Sequence, residues 1–141
     1  MKKRVLFLCT HNSARSQMAE GLLRKLAGNQ FKVFSAGTEQ TSVRPLAIEA
    51  MREIGIDITG HRSKTLDEFA GQTFDYVITV CDRANESCPI FPAATQRIHW
   101  SFDDPTAATG TDEQKLRAFQ TVRDAIQQRL RMFLIIANKK Q

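Results

Sequence analysis

The sequence predicts a single-domain α/β fold in which a four-stranded parallel sheet is flanked by helices. Apolar runs of strand length alternate along the chain with longer stretches whose apolar residues recur at helical spacing. Such alternation is typical of parallel sheets that carry helices on both faces. The length of 141 residues suits one domain over 1–141, since single cores of about 100 to 150 residues are the commonest size.

The first strand and the first helix are predicted in the N-terminal fifth of the chain. Residues 4–9 form a buried strand because four apolar residues stand there in succession. Residues 14–27 form a helix in which apolar side chains recur every fourth position. These side chains are Met18, Leu22 and Leu26. Gly28 ends the pattern, as a glycine after a helix commonly does.

A second strand and a second helix follow. Residues 31–35 alternate between apolar and polar side chains and are closed by residues 36–37. Pro45 suits the first position of a helix, which is expected to end near Gly55. A shorter helix is expected over 61–70.

The second half of the chain predicts two more strands and a long C-terminal helix. Residues 74–80 are rich in β-branched side chains and lead directly into Cys81, and residues 97–102 give the fourth strand. Thr111 to Gln114 has the form of a capping box at the start of the helix. The apolar face of that helix is formed by Leu116, Phe119, Val122, Ile126, Leu130 and Phe133.

Composition excludes several kinds of protein. No apolar stretch approaches the ~20 residues of a membrane span, and no basic run is interleaved with aromatic residues as nucleic-acid binding requires. The net charge of +5 indicates a solvated basic surface or the attraction of a small anionic substrate. The N-terminal residues resemble the start of a signal peptide, but polar residues follow Cys9 where a cleavage region would stand. We therefore expect a cytoplasmic protein whose three cysteines are reduced thiols.

Chemically reactive side chains fall where the predicted strands end. Cys9 ends the first strand, Ser35 the second and Cys81 the third, while Asp103 and Asp104 follow the fourth. Ligands of open parallel sheets gather beyond the carboxyl ends of the strands. The sequence therefore predicts a functional site at this edge of the sheet.

The segment from Cys9 to Ser16 has the form of an anion-binding loop between a strand and a helix. Backbone N–H groups of such a loop can cradle a tetrahedral oxyanion beside the positive end of the helix, and Arg15 can grip two of its oxygens. The residues expected to bind the oxyanion are Thr10, His11, Asn12, Ser13, Ala14, Arg15 and Ser16. The same field should lower the pKa of Cys9 below the ~8.5 of a free thiol and make Cys9 a nucleophile.

This loop resembles that of the low-molecular-weight protein tyrosine phosphatases and of the arsenate reductases that share their fold. Residues 17–21, 35–37 and 99–105 resemble the reductases closely, so that the resemblance covers nearly the whole chain and implies a flavodoxin-like strand order. Two positions depart from the pattern. His11 stands where many relatives carry Gly, and Ala14 where many carry a second Cys. A side chain at position 11 could crowd the loop if the backbone needs positive φ there.

The resemblance implies that the chain reduces arsenate to arsenite in arsenic detoxification. Cys9 would form an adduct with arsenic, Cys81 would attack Cys9 and release arsenite, and Cys88 would then displace Cys9 from the disulfide. Thioredoxin would reduce the Cys81–Cys88 bond by thiol exchange, so no bound cofactor is expected. Glutaredoxin or a low-molecular-weight thiol stays open as the reductant.

The spacing of Cys81 and Cys88 adds a geometric expectation. If residues 81–88 are helical, the two Cα atoms are about 10 Å apart, whereas a disulfide requires about 7 Å or less. We therefore expect this segment to unwind on oxidation.

Other interpretations of the thiols stay open at this stage. Cys81 and Cys88 could be incidental thiols. They could also bind zinc, but their spacing lacks the usual pattern of a zinc site. The chain could instead be a low-molecular-weight protein tyrosine phosphatase, which needs only the loop, its arginine and an acid. Against this, Thr106 and Ala107 stand where such phosphatases often carry Tyr. A reductase with this loop is also expected to retain weak phosphatase activity.

A proton donor is expected directly before Pro105, because both related families carry an Asp–Pro pair there. Asp104 takes this role by the resemblance, and Asp103 is the competing candidate. A plain turn would also explain the pair of aspartates. The anionic Cys9 site should raise the pKa of the facing carboxyl and keep it protonated.

Residues around the loop complete the expectations. Asn12 and Ser35 are expected to support it by side-chain hydrogen bonds, as their counterparts do in the family, although Ser35 could simply end its strand. Some relatives hold a potassium ion with Asn, Glu, Ser and Asp ligands. Asn12, Glu20 and Ser35 match three of them, but Lys64 replaces the Asp, and its ammonium should repel the ion. No metal is therefore expected.

The remaining side chains of note are expected to be structural. His61 and His99 should be structural or exposed rather than catalytic, and Trp100 should pack in or beside the sheet. We expect a monomer.

Overall fold

The computed structural model describes residues 2–81 and 95–139. These residues form four strands, three α-helices and two 3₁₀ turns. The strands are β1 (Lys3–Cys9), β2 (Phe31–Gly37), β3 (Tyr76–Thr79) and β4 (Gln96–His99). The helices are α1 (Arg15–Ala27), α2 (Pro45–Arg52) and α3 (Asp112–Lys139), and the 3₁₀ turns are Leu66–Phe69 and Pro105–Ala107.

The strands form one parallel sheet in the order β2-β1-β3-β4. This order is the flavodoxin-like one, so the predicted fold class is confirmed. In the register, Cys9 lies opposite Gly37 and Leu8 opposite Thr79, which in turn lies opposite His99. The carboxyl ends of all four strands therefore meet at one edge, as the sequence predicts.

The burial of its side chains explains why β1 is an inner strand of the sheet. Its residues Val5 to Leu8 are almost fully buried, as an uninterrupted apolar strand in a parallel sheet requires. Helix α3 packs against α1 and α2 and presents its predicted apolar face to the core. Trp100 is buried beside Phe7 and Phe133, in agreement with the expected packing beside the sheet.

Local end signals act as the sequence predicts. The capping box at the start of α3 is confirmed by two reciprocal bonds. The N–H of Thr111 donates to Oε1 of Gln114 over 2.8 Å, and the N–H of Gln114 donates to Oγ1 of Thr111 over 3.2 Å. Pro45 begins α2, in agreement with its fixed φ and missing N–H.

Three predicted elements are shorter than expected. Strand β3 spans Tyr76–Thr79 rather than residues 74–80. Residues 61–70 form a 3₁₀ turn and a bridge from Thr65 to Gly37 in place of the expected helix, because the backbone around Lys64 bonds to other elements instead of to itself. Its N–H donates to the side chain of Asn12, and its carbonyl accepts from the N–H of Gly37. Strand β4 stops at His99 rather than at residue 102, since its neighbour β3 ends at Thr79 and offers no further ladder partner.

One remaining expectation concerns membrane crossing, and another concerns the segment that contains Cys88. In residues 2–81 and 95–139, no helix combines the length and hydropathy that crossing a membrane demands. Cys88 and the expected unwinding of residues 82–88 lie outside the described residues.

Candidate active site

The predicted anion-binding loop connects the central strand to the first helix. Cys9 is the last residue of β1 and Arg15 the first of α1, so the loop proper is residues 10–14. Cys9 is only 4% exposed, and all loop residues except His11 are buried. The loop thus lies beneath the surface at the carboxyl edge of the sheet, where the sequence placed it.

The backbone N–H groups of residues 11–14 donate no hydrogen bond to any acceptor in the described chain. Buried N–H groups are rarely left without an acceptor, because the loss of solvation costs free energy. Four adjacent donors at the N-terminus of a helix form the arrangement that binds phosphate-like anions. The loop therefore has the chemistry of an oxyanion site.

Carbonyl groups of the loop bond to the segments that flank it. The carbonyl of Thr10 accepts from the N–H groups of Thr38 and Glu39, each over 2.9 Å. The carbonyl of His11 accepts from the hydroxyls of Thr41 and Ser63, and that of Ser13 from the N–H of Arg44. These bonds fix the peptide planes, so that the carbonyls are satisfied by protein and the N–H groups stay available.

Asn12, and not His11, carries the positive φ that a loop of this kind needs. Its φ is 51°, whereas His11 is not in the left-handed region. Asn tolerates this conformation better than most residues. The expected crowding at His11 is therefore relieved, because its backbone is not strained and its side chain points to Glu39, with Nδ1 3.2 Å from Oε2.

Gly37 is a residue of the site whose role the sequence did not reveal. A Cβ at this position would lie 2.7 Å from the carbonyl oxygen of Thr10 and 2.9 Å from the nitrogen of Asn12. Both neighbours are backbone atoms of the loop and cannot swing away. Glycine is therefore required here so that the loop can pack on the end of β2.

Cys81 lies beside Cys9 at the carboxyl edge of the sheet, near enough to change the pKa of the Cys9 thiol. Cys81 follows β3, next to β1, and is 4% exposed. Its sulfur also lies 3.3 Å from the hydroxyl oxygen of Thr10. The structure thus brings together two of the three cysteines predicted for the site, both as thiols.

The proximity of Cys81 overturns the predicted pKa of Cys9. The hydrogen bond with Cys81 and burial raise the pKa of the Cys9 thiol, against the opposing effects of Arg15 and of the Thr10 N–H. The expected lowering is therefore wrong for this structure. The reason is that Cys81 and burial outweigh Arg15 and the loop, and the sequence did not show how close Cys81 lies to Cys9.

Arg15 links the loop to the segment that follows β4. Its Nη1 donates to the carbonyl of Phe102 over 3.0 Å, and its Nη2 lies 3.8 Å from Oδ2 of Asp104. No such contact joins Arg15 to Asp103 among the described residues. Geometry therefore favours Asp104 over Asp103 as the acid.

The predicted pKa of Asp104 is also wrong in direction. Burial raises the pKa of this carboxyl, but the hydrogen bonds from the hydroxyl and N–H of Thr106, together with Arg15 and His11, outweigh burial and lower the pKa below its ordinary value. The bonds to Oδ1 measure 2.7 Å and 3.0 Å. They stabilise the charged form, which the sequence could not show because it did not place Thr106 on the carboxylate.

In the described part of the chain, the Ser35 hydroxyl bonds to Glu20 and Lys64 and not to the loop, so the expected side-chain hydrogen bond from Ser35 to the loop is not found. The hydroxyl donates to Oε1 of the buried Glu20 over 2.5 Å, and Nζ of Lys64 lies 3.5 Å from the Ser35 hydroxyl and 3.9 Å from Glu20. The ammonium of Lys64 thus lies among the residues that were compared with potassium ligands. Across residues 2–81 and 95–139, no group of three His, Cys, Asp or Glu side chains could hold a metal.

His61 and His99 lie in different parts of the fold. His61 is close to α1 and contacts Gln17, Glu20 and Arg24, whereas Nδ1 of His99 lies 2.7 Å from the Thr79 hydroxyl in the sheet. Gln17 and Glu20 belong to a stretch that the sequence marked only as a family resemblance. Their contacts join residues far apart in the chain, and no local pattern could reveal them.

A parallel sheet with an anion-binding loop after its central strand, and an aspartate facing the arginine of that loop, defines a phosphatase-like α/β domain. The family model described as low molecular weight phosphotyrosine protein phosphatase matches residues 4–141. The chain belongs to this family. The resemblance predicted from the sequence is therefore confirmed.

Individual relatives are similar over nearly the whole chain. The arsenate reductase of Halalkalibacterium halodurans is 49% identical over 132 residues, which cover 94% of this chain and 95% of that protein. A solved arsenate reductase in a phosphate binding state is 36% identical with a TM-score of 0.75, covering 96% of this chain and 98% of that one. The thioredoxin-dependent arsenate reductase of Corynebacterium glutamicum is 29% identical with a TM-score of 0.77, covering 99% of this chain and 64% of that one.

Proposed function

We propose that this protein reduces arsenate to arsenite through successive disulfides of Cys9, Cys81 and Cys88, with electrons supplied by thioredoxin. The observation that carries the proposal is the place of Cys81, which follows the strand next to Cys9 and whose sulfur lies 3.3 Å from the hydroxyl of Thr10 in a loop of available N–H groups. A hydrolase needs one nucleophile at this place, whereas a reductase needs a second thiol within reach of the first. The similarity to named arsenate reductases supports the same activity.

Arsenate binds first, because its oxygens match the donors of the loop. A tetrahedral oxyanion can accept from the N–H groups of residues 11–14, while the guanidinium of Arg15 can turn from the Phe102 carbonyl to grip two oxygens. The net charge of +5 favours approach of an anion. The related reductase in a phosphate binding state supports this mode of binding.

Cys9 then gives its proton to the Asp104 carboxylate and attacks arsenic as a thiolate. A bond forms between its sulfur and arsenic, and one arsenate oxygen leaves as water after gaining a proton. Asp104 is the proposed proton donor, since it lies 3.8 Å from Arg15. When arsenate neutralises Arg15, the pKa of Asp104 rises, so the carboxyl can accept the proton released by Cys9 and pass it to the leaving oxygen.

Electron transfer follows when the Cys81 thiolate attacks the sulfur of Cys9. The sulfur–arsenic bond breaks, its electron pair stays on arsenic, and arsenite leaves while a Cys9–Cys81 disulfide forms. Cys88 next attacks Cys81, which frees Cys9 and forms the Cys81–Cys88 disulfide. The dithiol of thioredoxin reduces that bond by two thiol exchanges. The thioredoxin-dependent relative supports this reductant, and we place the reaction in the cytoplasm.

Slow phosphatase action is a second activity of the same site. The loop, Arg15 and Asp104 are the groups that phosphate ester cleavage needs, and the family model is named for phosphatases. Thr106 is held against Asp104 by hydrogen bonds and offers no aromatic surface to a phosphotyrosine ring. We therefore propose that ester cleavage is a minor activity.

An assay of NADPH oxidation with arsenate, thioredoxin and thioredoxin reductase tests the proposal. The wild-type protein should reduce arsenate, and Cys9→Ser, Cys81→Ser and Cys88→Ser should each abolish turnover. Cleavage of an aryl phosphate is the matched control, because only Cys9→Ser should abolish it. Full arsenate turnover by Cys81→Ser, or none by the wild type with any thiol reductant, would contradict the proposal.

A further inference from the structure

We propose that Gln17 is a positioning residue for the oxyanion loop, and that it couples the loop to His61 through a directional chain of hydrogen bonds. This inference rests on the proposed function, because it assigns a purpose to the geometry of that site. It concerns Asn12, whose left-handed backbone must be held in place. A residue with a side chain in this conformation persists only where its surroundings fix it.

Three polar contacts hold the oxygens of Asn12, and two of them involve Nε2 of Gln17, whose two hydrogens are shared with the carbonyl of Arg62. Nε2 of Gln17 donates to the carbonyl oxygen of Asn12 over 3.0 Å and lies 2.9 Å from its Oδ1. The N–H of Lys64 makes the third bond, to Oδ1 over 2.9 Å. The side-chain amide of Asn12 is then free to donate to the Ser16 hydroxyl over 2.8 Å. Gln17 is fully buried, so these contacts are shielded from water.

The orientation of the Gln17 amide is decided by its surroundings. Its nitrogen faces three acceptors, because the carbonyl of Arg62 lies 3.0 Å away in addition to the two oxygens of Asn12. A flipped amide would place oxygen against oxygen at all three contacts. Oε1 of Gln17 must therefore face Nδ1 of His61, which lies 3.0 Å away.

His61 must consequently carry its proton on Nδ1. Its Nε2 lies 3.1 Å from Nη1 of Arg24, which can only donate, and 3.5 Å from Oε2 of Glu20. A neutral ring with the proton on Nδ1 satisfies both Gln17 and Arg24. The chain of donors thus runs in one direction, from Arg24 through His61 and Gln17 to Asn12.

The charges around His61 favour this neutral ring. Burial lowers the pKa of His61, Arg24 and Lys64 lower it further, and the carboxylates of Glu20 and Asp57 oppose them. At neutral pH the ring therefore acts as a fixed hydrogen-bond relay. The proposed relay gives His61 a structural role, which is the role that the sequence predicts.

Gln17→Met and Gln17→Glu test the relay. Methionine keeps the length but removes every polar contact, whereas glutamate keeps an acceptor for His61 and removes the donors to Asn12. Both variants should weaken binding of inorganic phosphate about tenfold, the effect of losing a buried hydrogen bond. The KM for arsenate should rise by a similar factor while kcat changes less. Leu22→Val is the matched control, since it disturbs the buried face of the same helix without a polar contact.

Isothermal titration calorimetry with phosphate, and ¹⁵N NMR of the His61 ring in the wild-type protein, give the readouts. The ring should show a protonated Nδ1, and this measurement remains decisive even if a variant fails to fold. A phosphate affinity of Gln17→Met and Gln17→Glu within twofold of the wild type would overturn the inference about Gln17 and leave the proposed function standing. So would a ring protonated on Nε2. A wild-type protein that binds no phosphate would overturn the oxyanion site itself, and the relay with it.

Discussion

The hydroxyl oxygen of Thr10 lies 3.3 Å from the sulfur of Cys81, although the two residues are 71 positions apart in the chain. Thr10 belongs to the loop that follows β1, and Cys81 follows the neighbouring strand β3. The parallel register brings the two strand ends together. The proposed oxyanion loop and the proposed electron donor Cys81 therefore meet at Thr10.

Thr10→Val should slow the step in which Cys81 attacks Cys9. The substitution keeps the shape of the side chain but removes the hydroxyl that can stabilise the Cys81 thiolate, and a hydrogen bond to a charged group is worth about tenfold or more in rate. Rapid-quench counting of thiols after one turnover with arsenate measures this step. Thr10→Ser keeps the hydroxyl and should retain most of the rate. Equal rates for Val and Ser variants would show that the contact is without effect.

Gly37→Ala should damage the loop from the neighbouring strand. The new Cβ would meet backbone atoms of Thr10 and Asn12 at 2.7 Å and 2.9 Å. Overpacking of this kind costs about 1–3 kcal/mol of unfolding free energy and should also weaken phosphate binding. Gly60→Ala is the control, because nothing lies within 4 Å of its Cβ. Urea denaturation of both variants distinguishes them, and equal stability would contradict the role assigned to Gly37.

Thr106→Val should raise the pKa of Asp104 towards its ordinary value. The hydroxyl of Thr106 lies 2.7 Å from Oδ1 and favours the charged carboxylate, so its removal favours the protonated form. The chemical shift of the Asp104 side-chain carbon, followed by NMR against pH, measures the change. A pKa that falls or stays constant would contradict the assignment.

The same carboxylate should make folding sensitive to acid. Because the pKa of Asp104 is lowered in the folded protein, the ionised group stabilises the fold above its unfolded pKa of about 3.9. This contribution is lost as the pH falls through the folded value. Below pH 5, the unfolding temperature of Thr106→Val should therefore change less with pH than that of the wild type. Identical acid profiles would show that the bond does not act through Asp104.

Lys64→Met should create a dependence on monovalent cations. The ammonium lies 3.9 Å from the buried carboxylate of Glu20, and its removal leaves Arg24 as the permanent cation that pairs with Glu20 among the residues the structure describes. The cost should be about 1–2 kcal/mol of unfolding free energy, and added potassium should restore part of it. Wild-type kinetics should not respond to potassium. Lys32→Met, at an exposed position of β2, should behave like the wild type. Absence of any potassium effect in Lys64→Met would contradict the role of the ammonium.

The sequence alone determined the succession of strands and helices along the chain, the capping box and the anion-binding loop. Each of these depends on residues that are close along the chain. Apolar periodicity shows that the face of α1 carrying Met18, Leu22 and Leu26 packs on the core. The spacing from Cys9 to Arg15 joins the end of β1 to the first residue of α1. Such patterns are local, so the positions of the candidate site residues followed from them once the sheet was known to be parallel.

The tertiary structure decided the protonation of the site and the support of the loop. The pKa of Cys9 depends on Cys81, that of Asp104 depends on the exact placement of Thr106, and Asn12 depends on Gln17 and Lys64. Electrostatic energies and hydrogen bonds vary over distances of an ångström, whereas sequence patterns locate a side chain only to within a turn or a strand end. For this reason the sequence could name the reacting groups, and only their arrangement in space could say which of them hold protons.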